Sequence, residues 1–423
     1  MKKHYLKYGE KTFEINLSEK NVLQELHSKQ VSPISNLEKE LNNLLDNPID
    51  SKPFNEIFMK NDKIVIVVSD ITRLWLQTIK FLPIVVKRLN NIGISDKNIT
   101  ILIANGTHRT QTDEELIKIV SKDLFERLEI VEHSSNTSTI VLGKTSRNTE
   151  VSINKLLLDR KVILTGGIVH HLMAGFGGGR KSILPGVVSK KTIFQNHLHA
   201  LDPKNDRSNP LIGVGVTKEN PINLDMIEAA QMINPDFLIN SIVDTKGNIL
   251  KLAVGNWLSA WEQGCNWANE IFGVPINEKA DLVITSCGGY PKDISLYQST
   301  KSLFNAALAV KPGGTILLFA ECRDGAGADT FFNWINPLKE NKLYEELKSN
   351  FTIAGYIFYA AVEIAKKLNI ILVSSIKPEL VKPMGIKSTN NIDEALSLAG
   401  IHDKDKKVIV MPYGGNTIPL YKK

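Results

Sequence analysis

The stretch from Gly166 to Ser189 combines side chains that suit proton transfer and covalent chemistry with unusually many glycines. It reads GGIVHHLMAGFGGGRKSILPGVVS and holds seven glycines, a His-His pair and an Arg-Lys pair. Glycine at this density indicates backbone that takes positive φ or lies very close to another group. Two imidazoles and an amine supply a proton carrier, a metal ligand and a nucleophile. The stretch therefore predicts an active-site loop.

Histidines concentrate in the same part of the chain, and six of the nine lie between residues 108 and 199. His108 follows an apolar run in the sequence Asn-Gly-Thr-His-Arg. The glycine and the short hydroxyl side chain there favour a sharp turn that presents the imidazole. His197 and His199 end a helical pattern, which would point their side chains in different directions. Joint binding of one metal ion by these two residues is therefore not expected.

Lys181 and Ser182 invite comparison with the phosphate-binding P-loop, GxxxxGK[ST]. Arg180 replaces the glycine before the lysine, and the segment begins well after its strand rather than directly at its end. A nucleoside triphosphatase is therefore not favoured. The glycines, with Arg180 beside them, are still expected to hold a phosphate through backbone N–H groups.

A second cluster of polar residues follows Gly288 and Gly289. Tyr297 and Lys301 are four residues apart, so they project from one helical face, with Gln298 beside them. A hydroxyl, an amide and an ammonium group at the start of a helix suit the binding of a carboxylate. The alternative interpretation is an ordinary solvated helix start.

These residues follow short apolar runs that are rich in β-branched side chains. The runs lie at residues 63–70, 99–108, 161–167, 281–289, 315–322, 370–375 and 407–415. Continuous hydrophobicity predicts strands that are buried on both faces, as in parallel sheets, and helical patterns intervene. The predicted fold class is α/β, with two domains that are each a mostly parallel sheet flanked by helices. Ligands bind beyond the carboxyl ends of such strands.

The length of 423 residues favours two domains. We predict an N-terminal catalytic and cofactor-binding domain over residues 1–272, joined by a C-terminal return segment at about 406–423. A C-terminal α/β domain is predicted over residues 275–405. The active site is expected in the cleft between the two domains.

Composition argues against several classes of protein. The net charge of +6 comes with no basic cluster interleaved with aromatic residues, so nucleic-acid binding is not expected. Apolar runs are too short for a membrane span, and the N-terminus lacks the apolar core of a signal peptide. The three cysteines are odd in number and never in CxxC spacing, which predicts buried thiols in a reducing compartment. A cytoplasmic protein is therefore expected.

Taken together, five separated motifs resemble the nickel-pincer lactate racemase family over essentially the whole chain. They are SDITR (69–73), ANGTHR (104–109), HHLMAGFGGGRKSILPG (170–186), QNH (195–197) and GGYPKDISLYQSTK (288–301). The family uses nickel held by a pyridinium-3,5-bisthiocarboxylic acid mononucleotide, the nickel pincer.

The resemblance assigns roles to individual residues. His108 and His171 would be the acid–base pair, and His197 would bind the nickel. Lys181 would carry the cofactor covalently. The other residues grouped with the cofactor are Asp70, Gly177, Gly178, Gly179 and Arg180. The residues expected to hold the substrate carboxylate are Arg73, Tyr297, Gln298 and Lys301.

The activity implied is that of an isomerase, a racemase or epimerase acting at C2 of a 2-hydroxy acid, with lactate as the default. Hydride transfer through a 2-keto acid avoids removing a proton from a very weak carbon acid, and a base is needed on each side of the carbon. The implied partners are the small 2-hydroxy acid and the cofactor-biosynthesis proteins that deliver the nickel pincer. The aromatic Phe358-Tyr359 region is expected to help form the pocket for the substrate side chain.

Two other functions remain open from the residues alone. A zinc-dependent hydrolase would use His108, His171 and His197 as metal ligands. A non-catalytic mononucleotide-binding protein would keep the glycine loop, but it has no use for two bases and a carboxylate-binding group.

Overall fold

The structure is a computed structural model of the chain, and it describes residues 1–136, 139–327 and 330–421. The chain divides into two compact units. The central unit comprises Val31–Ala200 and Asn209–Ala268. The terminal unit comprises Met1–Gln30, Leu201–Ser208 and Asn269–Lys423, so it contains both ends of the chain.

This division differs from the predicted domains in two respects. The first 30 residues belong to the terminal unit, and so does the end of the chain, which was expected to return to the N-terminal domain. The reason is strand pairing: Val408–Met411 lies in parallel register between Ala280–Ser286 and Val22–Glu25. The predicted return segment is therefore wrong. The main boundary, expected near residue 273, falls close by at Ala268.

A six-stranded sheet forms the core of the central unit. In spatial order its strands are Ile249–Gly255, Phe237–Val243, Lys161–Gly167, Ile64–Ser69, Ile99–Ala104 and Glu129–Glu132. All neighbours pair in parallel except the first two, which form an antiparallel hairpin. Both faces of the inner strands are buried, which explains their continuous hydrophobicity.

Helices cover this sheet with apolar faces. The helix Thr78–Asn91 buries Phe81, Leu82, Val85, Val86 and Leu89 in one cluster with the strands. The other helices of this unit are Leu37–Asp46, Phe54–Ile57, Asp113–Val120, Lys122–Arg127, Lys190–Leu198, Pro221–Gln231 and Ser259–Phe272, the last of which runs past the boundary. Two hairpins complete it, Thr139–Lys144 with Glu150–Asn154 and His170–His171 with Gly175–Phe176.

The terminal unit is built on a second six-stranded sheet, which is parallel throughout. Its spatial order is Ile386–Thr389, Asn369–Val373, Val310–Phe319, Ala280–Ser286, Val408–Met411 and Val22–Glu25. The pairs outside this sheet are Lys2–Tyr8 with Lys11–Leu17, Leu201–Asp202 with Arg207–Ser208, and Gly273–Ile276 with Ile418–Tyr421. Its helices are Leu296–Ala307, Ile335–Lys339, Leu343–Ser349, Ile353–Ala365, Pro378–Val381 and Ile392–Leu398.

The predicted fold class is confirmed, since each unit is a mostly parallel sheet flanked by helices. Each of the seven apolar runs overlaps a strand of these two sheets. The helix Asp113–Val120 begins with a capping box between Thr112 and Glu115. Within the described residues, no helix is long and apolar enough to cross a membrane.

Candidate active site

Three neighbouring strands of the central sheet deliver the predicted catalytic residues to one edge. Asp70 follows Ile64–Ser69, His108 lies on the turn after Ile99–Ala104, and the glycine-rich loop follows Lys161–Gly167. Because parallel strands end on the same edge, the three segments meet there. The strand order also reverses at this point, which is where open α/β sheets bind ligands.

Asp70 and His108 form a hydrogen-bonded pair. The His108 imidazole is 46% exposed at its side chain, whereas Asp70 is buried, and Nδ1 of the ring donates to Oδ2 of the carboxylate. The other carboxylate oxygen accepts from the backbone N–H of Thr72 at 3.1 Å and from its hydroxyl at 2.6 Å. Burial raises the pKa of Asp70, but the bonds to His108 and Thr72 outweigh burial and leave that pKa below its ordinary value.

This pairing changes the role expected for Asp70. The sequence groups Asp70 with the cofactor, but the structure turns both carboxylate oxygens toward Thr72 and His108. An ionised carboxylate on Nδ1 fixes the tautomer of the ring and leaves the lone pair on Nε2. In the neutral ring, Nε2 of His108 can accept a proton, and Asp70 orients the ring.

The turn that carries His108 is attached to the glycine-rich loop. Gly106 takes a φ of +54° and its N–H donates to the carbonyl of Gly186 at 2.9 Å. Buried Asn105 donates to Glu132 Oε2 at 3.0 Å, and the same carboxylate accepts from the backbone N–H of Gln111 at 2.8 Å. Two motifs far apart in sequence are thus joined directly.

The His-His pair splits into a packing residue and a site residue. His170 stacks at a tilt on Phe176, with ring centroids 4.6 Å apart. His171 pairs across the hairpin with Gly175, and its Nδ1 accepts the N–H groups of Met173 and Ala174, both at 3.2 Å. Since Nδ1 is an acceptor, the neutral ring of His171 carries its proton on Nε2.

Positive side chains surround His171. Desolvation lowers the pKa of its imidazole well below the usual value, and the charges of Lys181 and Arg73 lower it further. Desolvation likewise lowers the pKa of the half-buried Lys181, with Arg180 and Arg73 adding to the effect. Arg73 itself is exposed and bonds to the Thr72 hydroxyl at 3.1 Å. A group of cations that repel one another is suited to an anionic ligand.

The three consecutive glycines before Arg180 bond within the protein. The N–H of Gly177 donates to the Val169 carbonyl at 2.7 Å, and the N–H of Gly179 donates to Asn240 Oδ1 at 2.7 Å. These two groups do not face outward as the predicted phosphate cradle requires. Gly178 takes a φ of +71°, and a Cβ there would lie 2.4 Å from Asn240 Oδ1.

His197 has the geometry of a metal ligand. It is buried in the last turn of Lys190–Leu198, and its Nδ1 donates to the Ile193 carbonyl at 2.8 Å. That bond puts the lone pair of the neutral ring on Nε2, the atom that would bind a metal. Burial lowers the pKa of His197 to about 4, so the ring is neutral at physiological pH.

His199 lies at the end of the same helix and takes a different environment, as expected. Its Nε2 lies 3.3 Å from the Thr149 hydroxyl and 3.8 Å from the buried Asp225 carboxylate. Across the described ranges of the chain, no group of three or more His, Cys, Asp or Glu residues could hold a metal ion. The three-histidine zinc site of the hydrolase alternative is not formed there.

In the terminal unit, the predicted carboxylate-binding residues share the helix Leu296–Ala307. Lys301 Nζ donates to Gln298 Oε1 at 2.8 Å, and the ring of Tyr297 packs edge-on against Phe331 with centroids 6.0 Å apart. The helix is capped by Ser295, whose hydroxyl accepts from the Gln298 N–H at 3.4 Å.

Phe358 and Tyr359 are not surface residues of a pocket. Phe358 is fully buried and packs on Phe331, with ring centroids 5.3 Å apart, and the Tyr359 hydroxyl donates to the Asp206 carbonyl at 2.9 Å. The expectation that they form the pocket for the substrate side chain is therefore wrong. Both belong to the core because their helix is apolar on most sides.

Three residues that were not among the predicted site residues support the glycine-rich loop. Trp261 donates from its indole nitrogen to the Gly177 carbonyl at 2.9 Å. Asn240 accepts from Gly179, and Asn223 accepts from Arg180 at 2.8 Å. Asn240 carried a usable signal, because it is a lone amide in a fully buried strand.

Comparison with known proteins covers both units. The lactate racemase N-terminal domain model matches residues 8–208, and the lactate racemase C-terminal domain model matches residues 276–418. The chain is 33% identical to a lactate racemase of Thermoanaerobacterium thermosaccharolyticum and 31% identical to one of Lactiplantibacillus plantarum, over 97% of each chain. The solved apoprotein structure of lactate racemase from Thermoanaerobacterium thermosaccharolyticum superposes with a TM-score of 0.87 at 31% identity, over 99% of this chain and 100% of that one.

Proposed function

Because the chain belongs to the lactate racemase family and is an isomerase of the racemase type, we propose that it inverts C2 of a short 2-hydroxy acid, with lactate as the substrate. The observation that carries this proposal is the pair of oriented histidines. The His108 ring is held on Asp70 and the His171 ring on the backbone of its own turn, so that the neutral His108 ring has its lone pair on Nε2 and the neutral His171 ring has its proton there.

The central unit fits the nickel pincer that the family resemblance implies. His197 would bind the nickel through Nε2, since Nδ1 is engaged by the Ile193 carbonyl. Lys181 would carry the organic part, and its lowered pKa favours the neutral, nucleophilic amine that forming a thioamide requires. The positive charge of the exposed Arg73 suits a group that bears a phosphate and thiocarboxylates. When bound, this group supplies a hydride acceptor and donor for C2.

The protein's share of the reaction is proton transfer and placement. His108 accepts the hydroxyl proton of the substrate at Nε2, and the Asp70 carboxylate stabilises the imidazolium that results. We assign to His171 the return of a proton to the oxygen on the other side of the carbon. For this step the ring would be protonated on both nitrogens, so the Met173 and Ala174 N–H groups would have to leave Nδ1; the ring then gives up its Nε2 proton and ends neutral. Hydride removed from C2 returns to C2, so no net oxidation occurs and only the configuration changes.

The substrate carboxylate must stay fixed while the carbonyl group turns over. We assign this task to Arg73, Tyr297, Gln298 and Lys301, which offer charged and neutral donors. The contact between Lys301 and Gln298 orders both side chains before substrate binds. Ordering of this kind reduces the entropy lost in the reaction.

The test begins with the chain produced together with the cofactor-biosynthesis proteins that deliver the nickel pincer. Native mass spectrometry should then show a nickel-containing mononucleotide adduct, and a chiral assay should show that either lactate enantiomer is racemised. Lactate deuterated at C2 should keep most of its label, because hydride returns from the cofactor. Rapid washout of the label into solvent would instead indicate removal of C2–H as a proton.

Single substitutions separate the roles within the site. His108→Ala and His171→Ala should each abolish racemisation while nickel stays bound, and Lys181→Ala should lose the covalent adduct. The matched control is His402→Ala, which changes an exposed histidine of the terminal unit. Wild-type rates in both His108→Ala and His171→Ala would refute the acid–base assignment.

A further inference from the structure

Arg180 precedes the proposed cofactor lysine, but its side chain turns into the protein. The residue is fully buried, and each nitrogen of its guanidinium donates to a neutral acceptor. Nε bonds to Asn223 Oδ1 at 2.8 Å, one terminal nitrogen to the Gly178 carbonyl at 3.1 Å, and the other to the Ala174 carbonyl at 2.8 Å. The group is therefore committed to the backbone of the glycine-rich loop.

The guanidinium also stacks on an aromatic ring. Its central carbon lies 3.9 Å from the centroid of the Trp261 ring, and the indole N–H of Trp261 donates to the Gly177 carbonyl. Within the described parts of the chain, no carboxylate forms an ion pair with Arg180. Burial lowers the pKa of Arg180 to about 9, which still leaves it charged at neutral pH. Arginine is the side chain that combines a planar charged group, able to stack on an aromatic ring, with five N–H donors in fixed directions.

These bonds reach both functional ends of the loop. Ala174 accepts from Arg180 through its carbonyl, and it donates its N–H to Nδ1 of His171. At the other end, the Gly178 carbonyl accepts from Arg180 and also from the backbone N–H of Lys181 at 3.1 Å. One side chain thus contacts the turn that holds the His171 ring and the turn that runs from Gly178 to Lys181.

We propose that Arg180 is a positioning residue that fixes His171 relative to Lys181 by holding the Ala174 and Gly178 carbonyls and, at 3.4 Å, the Gly177 carbonyl, and that it does not bind the anionic cofactor directly. The catalytic meaning of this spacing rests on the proposed function. The spacing itself is a property of the cofactor-free protein, so it can be measured without turnover.

Two substitutions of Arg180 distinguish positioning from anion binding. Arg180→Lys keeps a positive charge but loses the planar fork of donors, and Arg180→Gln loses both. If Arg180 positions the loop, both variants lose about 10²-fold in kcat with a smaller change in KM. If it binds the anion through its charge, Arg180→Lys stays near wild type. That second result would overturn the proposal. Arg160→Lys is the matched control, because Arg160 is partly buried and also donates to a neutral acceptor, Thr100.

A spectroscopic readout on cofactor-free protein is independent of activity. In protein labelled with ¹⁵N-histidine, the His171 signals should report a ring protonated at Nε2, identified by their loss in His171→Gln. Arg180→Lys should shift these signals toward a mixture of tautomers, because the Ala174 turn loosens, while the His108 signals stay in place. Unchanged His171 signals in Arg180→Lys would refute the positioning role, whatever the activity of the loaded wild type.

Trp261→Phe provides a second test of the proposal if the Arg180 variants do not fold. Phenylalanine keeps the ring under the guanidinium and removes only the bond to the Gly177 carbonyl. We expect a smaller shift of the same His171 signals and a fall in kcat of about tenfold. If Trp261→Phe leaves both quantities at wild-type values, the loop does not depend on this network and the proposal fails.

Discussion

The Asp70 carboxylate and the His108 imidazole bond to each other across the ends of two adjacent parallel strands. Their backbones are held independently, Asp70 by the cap of the short helix Ile71–Leu76 and His108 by the turn that bonds to Gly186. The pair therefore forms before any ligand is present. A preformed base needs no reorganisation when substrate arrives.

Asp70→Asn tests the charge in this pair. Asparagine keeps the shape of the side chain but can donate from its amide nitrogen to Nδ1 of His108. That bond favours the tautomer with its proton on Nε2, which cannot accept a proton there. We expect kcat to fall about 10²–10⁴-fold with KM changing little. Asp96→Asn, which removes a surface partner of Arg127, is the control and should leave both constants near wild type. A change confined to KM would show that Asp70 acts on substrate binding instead.

Gly179→Ala tests the packing of the glycine-rich loop against Trp261. Gly179 has a φ of +56°, and a Cβ there would lie 2.6 Å from the indole ring. We expect the free energy of unfolding to fall by about 2–4 kcal/mol, from backbone strain and the clash together. Gly313→Ala is matched for strain alone, since its φ is +74° and its Cβ meets nothing within 4 Å. We expect Gly313→Ala to lower the free energy of unfolding, measured in urea, by about 1 kcal/mol. Equal losses of unfolding free energy in the two variants would show that the Trp261 ring moves aside, so that the clash adds no cost.

His197→Gln and His199→Gln test which imidazole binds the metal. Nickel content measured after loading should fall in His197→Gln, because the Nδ1 of His197 is engaged by a backbone carbonyl and its Nε2 is the nitrogen that would bind the metal. His199→Gln should keep its nickel, since that ring faces Thr149 and Asp225. Loss of nickel in His199→Gln at unchanged thermal stability would contradict this assignment.

The stability of cofactor-free protein should depend on pH through its buried histidines. Burial lowers the pKa of His133, and desolvation does the same for His199. An unfolded chain binds these protons near pH 6.5, so stability is complete above that value and falls as the pH drops below it. The slope is up to about 1.4 kcal/mol per pH unit for each such histidine.

Urea unfolding at pH 7.5 and pH 5.5 measures this effect. The midpoint should be lower at pH 5.5, and His133→Gln should reduce the difference between the two conditions. His133 is informative because its ring nitrogens face the Val188 carbonyl and the Asn154 amide, away from the proposed ligands. Equal midpoints for wild type at both pH values would contradict the prediction.

Local patterns made much of the fold predictable. The run before Asp70 is apolar without alternation, and it forms a strand buried on both faces. Thr112 and Glu115 form the capping box that their spacing predicts. His108 and the glycine-rich loop could be placed at strand ends for the same reason, because the turn residues follow directly in sequence.

Contacts between distant segments were not predictable in this way. Nothing near Arg180 in sequence indicates that it stacks on Trp261 instead of facing a phosphate. The residues next to Asp70 in sequence do not indicate that it bonds to His108. An apolar residue such as Phe358 can line a pocket or pack in the core, and its sequence context does not distinguish the two. In each case the contacts of the side chain depend on which distant segments pack together. The local pattern of apolar and polar residues gives no information about that packing.

The pairing of Val22–Glu25 with Val408–Met411 has a consequence for how the protein is made. Because synthesis runs from the N-terminus, Val22–Glu25 leaves the ribosome long before Val408–Met411 does. The sheet of the terminal unit therefore gains this pairing only after residue 411 has emerged, whereas the strands of the main sheet of the central unit have all emerged before then. Until then the strand Val22–Glu25 lacks its neighbour in this sheet, and a nascent chain stalled before residue 408 contains every strand of the main central sheet but not every strand of the terminal one.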